Sequence, residues 1–161
     1  MITDTRSFTI LLAAGGSLAL LLGAFAFQYL GGLAPCQLCI WQRWPHAAAI
    51  VISLPALFLA KGALGRILPL LGALAALASA AIGGFHVGVE FGWWEGLASC
   101  TAGSISGLST ADLLNPDVNV GAVIRCDEIA WSMFGISMAG WNVILSLLLA
   151  LFWIAAYRRS R

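Results

Sequence analysis

Long apolar runs separated by short polar connectors dominate the pattern of this chain. No charged residue occurs between Ser7 and Gln42, and three further uncharged runs follow. A helix needs about 20 apolar residues to cross a hydrocarbon layer that is about 30 Å thick. The pattern therefore predicts four transmembrane helices, at residues 8–30, 44–60, 67–89 and 134–157.

The connectors complete the predicted architecture. Two of them, at about residues 31–43 and 90–133, form outer loops that carry the cysteines, and a short basic connector joins the second and third runs. There is neither an internal repeat nor a low-complexity linker, so residues 1–161 are expected to form a single integral membrane domain. The predicted fold class is an all-α membrane protein, a four-helix transmembrane bundle with two outer loops carrying cysteine pairs.

Composition agrees with a membrane environment. Hydrophobic residues make up 61% of the chain and charged residues only 9%, whereas ordinary soluble domains are about 25% charged. The net charge is +1, which provides no basic surface for a nucleic acid. We therefore expect the chain to be surrounded by membrane lipid and to bind no nucleic acid.

The distribution of cations predicts the orientation. Arg43 and Arg125 fall on the side of the outer loops, and six cations fall on the side of the termini: Arg6, Lys61, Arg66, Arg158, Arg159 and Arg161. Positive charges are retained on the cytoplasmic side of membrane proteins. Both termini are therefore expected in the cytoplasm, with the outer loops on the far side, where disulfides can persist.

Four cysteines carry the candidate chemistry: Cys36, Cys39, Cys100 and Cys126. Four cysteines allow three connectivities, and the sequence does not choose among them. The Cys36-x-x-Cys39 spacing is typical of a reactive disulfide, and Arg43 lies one helical turn beyond Cys39, where a cation favours the thiolate. The alternative for Arg43 is an interfacial anchor among neighbouring tryptophans.

Cys100 and Cys126 belong to the longer outer loop and allow two interpretations. A static bridge between them would pin the loop, whereas a redox-active pair would exchange with Cys36 and Cys39 on the same side of the membrane. Structural zinc prefers two clustered pairs of ligands, and only one pair is clustered here. No metal is expected.

Two histidines fall within the predicted spans or at their ends. His86 lies near the outer end of the third run, and a titratable group at that depth is a functional candidate that could pass protons to a reducible ligand. The alternative is a polar contact with a neighbouring helix. His46 opens the second run and is interpreted as an interfacial histidine.

With these residues assembled, the chain resembles the disulfide bond formation protein B (DsbB) family of bacterial inner membranes. The resemblance rests on the four spans, on Pro-Cys-x-x-Cys at residues 35–39 followed by Arg43, on a histidine in the third span and on a distant cysteine pair. Residues 126–131, Cys-Asp-Glu-Ile-Ala-Trp, leading into Phe134 and Gly135, also resemble the approach to the last span of that family.

The resemblance implies a function and a role for each residue. It implies a periplasmic thiol oxidase, a quinone-dependent protein-disulfide oxidoreductase that receives electrons from a DsbA-like thioredoxin-fold partner. Cys100 matches the cysteine that forms the mixed disulfide with that partner, and Cys126 would then pair transiently with Cys36. Cys39 matches the thiolate that meets the quinone, with Arg43 beside it.

Further implications concern the cofactor and the compartment. His86 lies near the third-span histidine of the family and is a candidate for binding the quinone, together with Cys39 and Arg43. The implied cofactor is ubiquinone or menaquinone from the membrane pool. A DsbA-like partner is more oxidising than secretory thiol pools, so a quinone acceptor removes an uphill step. The implied location is the bacterial inner membrane, multi-pass, with the active loops facing the periplasm.

Two alternatives remain at this point. A quinone reductase resembling the vitamin K epoxide reductase family is also a four-helix bundle, but that family places its Cys-x-x-Cys late in the bundle. Here the motif follows the first span. The second alternative is a non-catalytic membrane bundle that is held together by two static disulfides.

Overall fold

The computed structural model of the chain describes residues 4–98 and 124–160. Within these residues the fold contains four long helices: α1 Thr5–Tyr29, α2 Gln37–Phe58, α3 Gly62–Glu90 and α4 Met138–Arg158. A two-stranded antiparallel hairpin precedes α4, with β1 Ser132–Met133 paired with β2 Ile136–Ser137. The predicted all-helical bundle is confirmed in its class, and the hairpin is an addition to it.

Three of the helices have the length and composition needed to cross a membrane. They are α1, α3 and α4, and each presents large apolar side chains outward, including Leu22, Leu74 and Leu151. Such extended apolar surfaces require a nonaqueous surrounding. For α2 the membrane crossing stays a prediction, because this helix carries Gln42, Arg43 and His46.

The helices pack in a ring in which α1 and α3 each contact both α2 and α4. The buried core between them consists mainly of small residues around the fully buried Trp153. Close approach is allowed where glycine faces a large side chain, as at Gly72 beneath the Trp153 indole and Gly16 against Leu149. Small residues at helix contacts are typical of membrane bundles.

One buried arginine holds together the ends of all four helices. Arg6 of α1 is 2% exposed. Its guanidinium donates to the Ala56 carbonyl of α2 at 2.9 Å, the Gly65 carbonyl of α3 at 3.0 Å and the Ser160 hydroxyl after α4 at 2.8 Å. The termini of the described chain therefore lie at one end of the bundle, and Cys36, Cys39 and Cys126 lie at the other.

The second helix begins seven residues before the predicted start at residue 44. Cys36 is its N-cap, and the Cys36 sulfur accepts a hydrogen bond from the Cys39 backbone N–H at 3.3 Å. The later half of the predicted outer loop at 31–43 is therefore helical. Pro45 consequently lies inside α2.

Candidate redox centre and adjoining cavity

The Cys-x-x-Cys motif is positioned by the first turn of α2. Cys36 is 5% exposed and Cys39 is partly buried, and their sulfurs lie 3.1 Å apart as free thiols in a hydrogen bond. A cap followed by one helical turn brings the two sulfurs of this spacing together. The two sulfurs are therefore about 1 Å from the separation of about 2.05 Å that a disulfide bond requires.

Three hydrogen-bonding groups converge on the Cys36 sulfur. They are the Cys39 thiol at 3.1 Å, the Cys39 backbone N–H at 3.3 Å and Nε2 of His86 at 3.6 Å. The hydrogen bond with the Cys39 thiol lowers the pKa of Cys36 well below its usual range; burial opposes this shift, and His86 adds to it. Cys36 is thus a sulfur that favours negative charge.

His86 is buried at the junction of three elements. It is 3% exposed, and its Nδ1 lies 3.1 Å from the side-chain nitrogen of Gln42. Its Nε2 lies 3.2 Å from the Cys126 carbonyl oxygen and 3.9 Å from Oε1 of Glu90. Ser137, the N-cap of α4, donates its hydroxyl to Glu90.

Cys126 is fully buried against the motif. It forms one apolar cluster with Cys36, Leu38 and Val89, and it is disulfide-bonded. Cys100, the other loop cysteine, lies outside the described residues. The structure therefore brings three of the four predicted cysteines into one centre, at the end of the bundle away from Arg6.

Beside Cys126, Arg125 forms ion pairs with two neighbouring acids. Its guanidinium contacts Asp127, and its Nε lies 3.1 Å from Glu128. The hydrogen bond from Arg125 lowers the pKa of Asp127. The pairs are exposed, so they orient the segment weakly. One of the two outer cations that were counted for orientation is thus neutralised locally.

A cavity of about 390 Å³ adjoins the other thiol of the motif. It lies between α1, α2, the hairpin and α4, and its walls are mostly apolar, with Leu20, Phe27 and Trp131 among them. Its polar lining consists of Cys39, Gln42, Arg43, His46 and Asn142. Cavities of about 300–1,000 Å³ with a few convergent polar groups are typical of small-molecule sites.

Arg43 lies on the face of α2 that lines this cavity. Its guanidinium donates to Oε1 of Gln28 at 2.6 Å and lies 4.9 Å from the centre of the Phe25 ring. Its Nε is buried and has no hydrogen-bond partner among residues 4–98 and 124–160. A buried donor without a partner is costly, so this atom indicates a ligand contact.

His46 is placed differently from its predicted interfacial position. It is 2% exposed, and its Nε2 lies 3.0 Å from Oδ1 of Asn142 and 3.1 Å from Oγ of Ser79. Its Nδ1 faces Ser17 of α1 at 3.4 Å. The ring thus joins all four helices inside the bundle. The interfacial interpretation of His46 is wrong, because this polar network offers the imidazole partners that a membrane surface would otherwise provide.

The predicted site residues divide between the two parts of the centre. Cys39 and Arg43 line the cavity, whereas His86 is not one of its lining residues and contacts Cys36 instead. Sequence reasoning missed Gln42, which lines the cavity and also contacts His86. Its position three residues after Cys39, on the same helical face, was the available signal.

Three potential metal ligands lie close together at the same centre. Ligand atoms of Cys36, Cys39 and His86 lie within 4.8 Å of one another. However, the Gln42 side chain donates from one nitrogen to the Leu38 carbonyl and to Nδ1 of His86, which places the imidazole proton on Nε2. A metal would have to displace this proton before Nε2 could ligate it. The expectation of no metal stays a prediction.

Comparison with known proteins identifies the family. The family model described as "Disulfide bond formation protein DsbB" matches residues 6–156. "Disulfide bond formation protein B" of Methylococcus capsulatus is 34% identical over 138 residues, covering 83% of each chain.

Two further relatives carry the same description. The protein of Chromohalobacter salexigens is 37% identical over 134 residues, with 78% of this chain and 76% of the relative covered. That of Herminiimonas arsenicoxydans is 31% identical over 149 residues, with 89% and 90% covered. No solved structure matches the chain significantly. On the family match and these relatives, the chain belongs to the disulfide bond formation protein B (DsbB) family.

Proposed function

We propose that this protein is a quinone-dependent protein-disulfide oxidoreductase of the bacterial inner membrane. It reoxidises a DsbA-like thioredoxin-fold partner and passes the electrons through two cysteine pairs to ubiquinone or menaquinone. The observation that carries the proposal is the position of the Cys-x-x-Cys motif between Cys126 and an apolar cavity. Cys36 packs against Cys126, while Cys39 lines an apolar cavity beside Arg43.

Family resemblance and geometry together give the order of events. A partner thiolate attacks the disulfide of the loop pair at Cys100, and Cys126 is released. Cys126 then attacks Cys36, the Cys36–Cys39 bond breaks, and Cys39 takes the electron pair as a thiolate. Cys36 and Cys126 belong to one buried cluster, and this proximity supports the transfer between them.

The residues around the cavity fit a quinone. The walls are apolar, which suits the ring and isoprenoid tail of a quinone. The Nε of Arg43, which has no partner among the described residues, offers a charged donor to a carbonyl oxygen of the quinone. A bound quinone would supply an acceptor for two electrons and two protons. Arg43 would hold the ring near Cys39 and would favour the Cys39 thiolate through its charge.

The compartment follows from the chain ends. Arg6 fixes the termini at one end of the bundle, and Cys36, Cys39 and Cys126 lie at the other. Together with the positive-inside rule, this separation supports a redox centre that faces the periplasm. A carboxy-terminal fluorescent-protein fusion should fluoresce, and a periplasmic alkaline phosphatase fused there should be inactive. The reverse pattern would overturn the orientation.

The activity is tested with purified protein, a reduced DsbA-like partner and ubiquinone. Wild-type protein should oxidise the partner and reduce ubiquinone in equal amounts. Cys39→Ser should abolish the quinone-dependent oxidation, and continued activity of that variant would refute the mechanism. Thiol labelling in graded redox buffers distinguishes the oxidoreductase from the non-catalytic alternative. Static disulfides have reduction potentials below about −300 mV and would stay oxidised in buffers above that potential.

A further inference from the structure

His86 lies beside Cys36 and is not one of the residues that line the cavity. Its Nε2 faces the Cys36 sulfur at 3.6 Å and the Cys126 carbonyl oxygen at 3.2 Å. The ring is therefore inserted where the motif and the loop pair meet. Of the two cysteines in the motif, the one that it contacts is the cysteine turned away from the cavity.

The tautomer of His86 follows from its hydrogen bonds. The side-chain nitrogen of Gln42 donates one hydrogen to the Leu38 carbonyl at 3.2 Å, which identifies that atom as the amide nitrogen. The same nitrogen lies 3.1 Å from Nδ1 of His86, so Nδ1 accepts. A neutral imidazole carries one proton, which therefore resides on Nε2, the nitrogen that faces both the Cys126 carbonyl oxygen and the Cys36 sulfur.

We propose that His86 is a catalytic residue of the exchange between the two cysteine pairs, donating its Nε2–H to the Cys36 sulfur, with Gln42 as the positioning residue that fixes the tautomer. This inference rests on the proposed function, which supplies the exchange. It assigns His86 to the thiol chemistry and not to the quinone.

The supported step is the release of Cys36 from its transient bond with Cys126. The second thiol of the partner first displaces Cys100 from the mixed disulfide, and the partner leaves oxidised. The released Cys100 thiolate then attacks the Cys126 sulfur, a Cys100–Cys126 bond forms, and the Cys36–Cys126 bond breaks. The bond electron pair leaves on Cys36 as a thiolate, so one disulfide replaces another with no net oxidation. The His86 proton stays on Nε2 and is shared with this thiolate, which is a better leaving group when it is stabilised.

The other groups around His86 limit its freedom. Among the described residues, the titratable groups that face it are Cys36, Cys39 and Glu90. Glu90 lies 3.9 Å from Nε2, farther than the Cys36 sulfur, and receives the hydroxyl hydrogen of Ser137. The Ser137 hydroxyl thus occupies the carboxylate, and the Nε2 proton is shared between the Cys126 carbonyl oxygen at 3.2 Å and the Cys36 sulfur at 3.6 Å.

The test measures the reactivity of Cys36 without quinone or partner. In a Cys39→Ser background with the loop pair oxidised, Cys36 is the thiol available to iodoacetamide, and its alkylation rate is followed against pH. A hydrogen bond to a charged group implies that His86→Leu raises the midpoint by about one to two pH units. His86→Gln keeps a donor and should recover part of the shift.

Gln42→Leu and Val89→Ala provide the comparison. Gln42→Leu frees the imidazole tautomer and should raise the midpoint by less than His86→Leu does. Val89→Ala removes packing from the same cluster without removing a polar contact and should leave the midpoint unchanged. Circular dichroism melting shows which variants are folded.

An unchanged midpoint in folded His86→Leu would overturn the proposal. If His86→Leu fails to fold, the proposal is refuted by a Gln42→Leu midpoint equal to that of the Val89→Ala control. The proposed function fails by a different result, namely the absence of ubiquinone reduction by the wild-type protein, so the two failures are distinguishable.

Discussion

Replacing Arg43 with methionine should weaken quinone binding and leave the thiol pairs intact. The substitution keeps an unbranched side chain but removes the charge beside Cys39 and the buried Nε that has no partner in the described part of the chain. Hydrogen bonds from charged groups contribute about 1.5–3 kcal/mol. Quinone affinity should therefore fall by about ten- to 150-fold.

Tryptophan fluorescence provides the assay, because Trp131 and Trp141 line the cavity. Ubiquinone is titrated into purified protein in detergent, and quenching gives the dissociation constant. Arg66→Met is the matched control, since Arg66 lies at the opposite end of the bundle, where it contacts Tyr157. It removes one cation without touching the cavity.

Two outcomes of this titration would contradict a contact between Arg43 and the quinone. Arg43→Met with wild-type affinity, in a folded protein, would mean that the guanidinium does not contact the quinone. Equal losses in Arg43→Met and Arg66→Met would mean that the general charge of the protein, and not the cavity, governs binding. Oxidation of the loop pair by a redox buffer should be the same in both variants.

Three further results follow from particular contacts. Arg6→Met should lower the free energy of unfolding in detergent by about 2–4 kcal/mol, because buried acceptors lose their donor. Arg6→Lys should recover only part of this loss. Unchanged stability of Arg6→Met would mean that the Arg6 hydrogen bonds do not hold the helix ends together. Gly72→Ala should cost about 1–3 kcal/mol, since the added methyl overlaps the Trp153 indole, whereas Gly84→Ala, with no described atom within 4 Å of its added methyl, should cost little. Reduced Cys36 should keep its reactivity toward iodoacetamide as pH falls to about 6 and lose it only at lower pH, because its pKa is lowered; the rate profile of an ordinary thiol, with a pKa of about 8.5, would contradict this.

The sequence predicted the helices well where apolar runs are long. Charge-free runs define α1, α3 and α4 to within a few residues, because lipid demands apolar side chains over the whole thickness of the membrane. The start of α2 was missed for the same reason. Its first turns contain Gln42 and Arg43, whose polar groups find partners in neighbouring helices that a one-dimensional pattern does not show.

The site was predictable in its chemistry and not in its geometry. The spacing of Cys36, Cys39 and Arg43 indicated a thiol pair beside a cation, and the structure places these residues along one helix. That Gln42 orients His86, and that His46 lies in a buried network, depends on side chains brought in from other helices. No periodicity within a single run contains that information.

The small residues of α1 show a similar limit. They recur every four positions in the sequence, at Gly15, Ala19 and Gly23, a spacing that predicts close packing against another helix. At Gly15 and Gly23 no described atom lies within 4 Å of an added methyl, whereas Gly16 makes the close contact with Leu149 of α4. Gly23 instead lines the cavity. Recurring small residues predict a helix face with little side-chain volume, but only the fold shows whether another helix or a cavity lies against that face.

The most direct test of the account is the amount of quinone that remains bound to the purified protein. Gly23→Leu places a side chain in the cavity, whereas Gly15→Leu adds the same side chain to the same helix away from it. Quinone extracted per protein should approach one for wild type and Gly15→Leu and fall toward zero for Gly23→Leu. Equal quinone in both glycine variants would contradict the placement of the acceptor in this cavity.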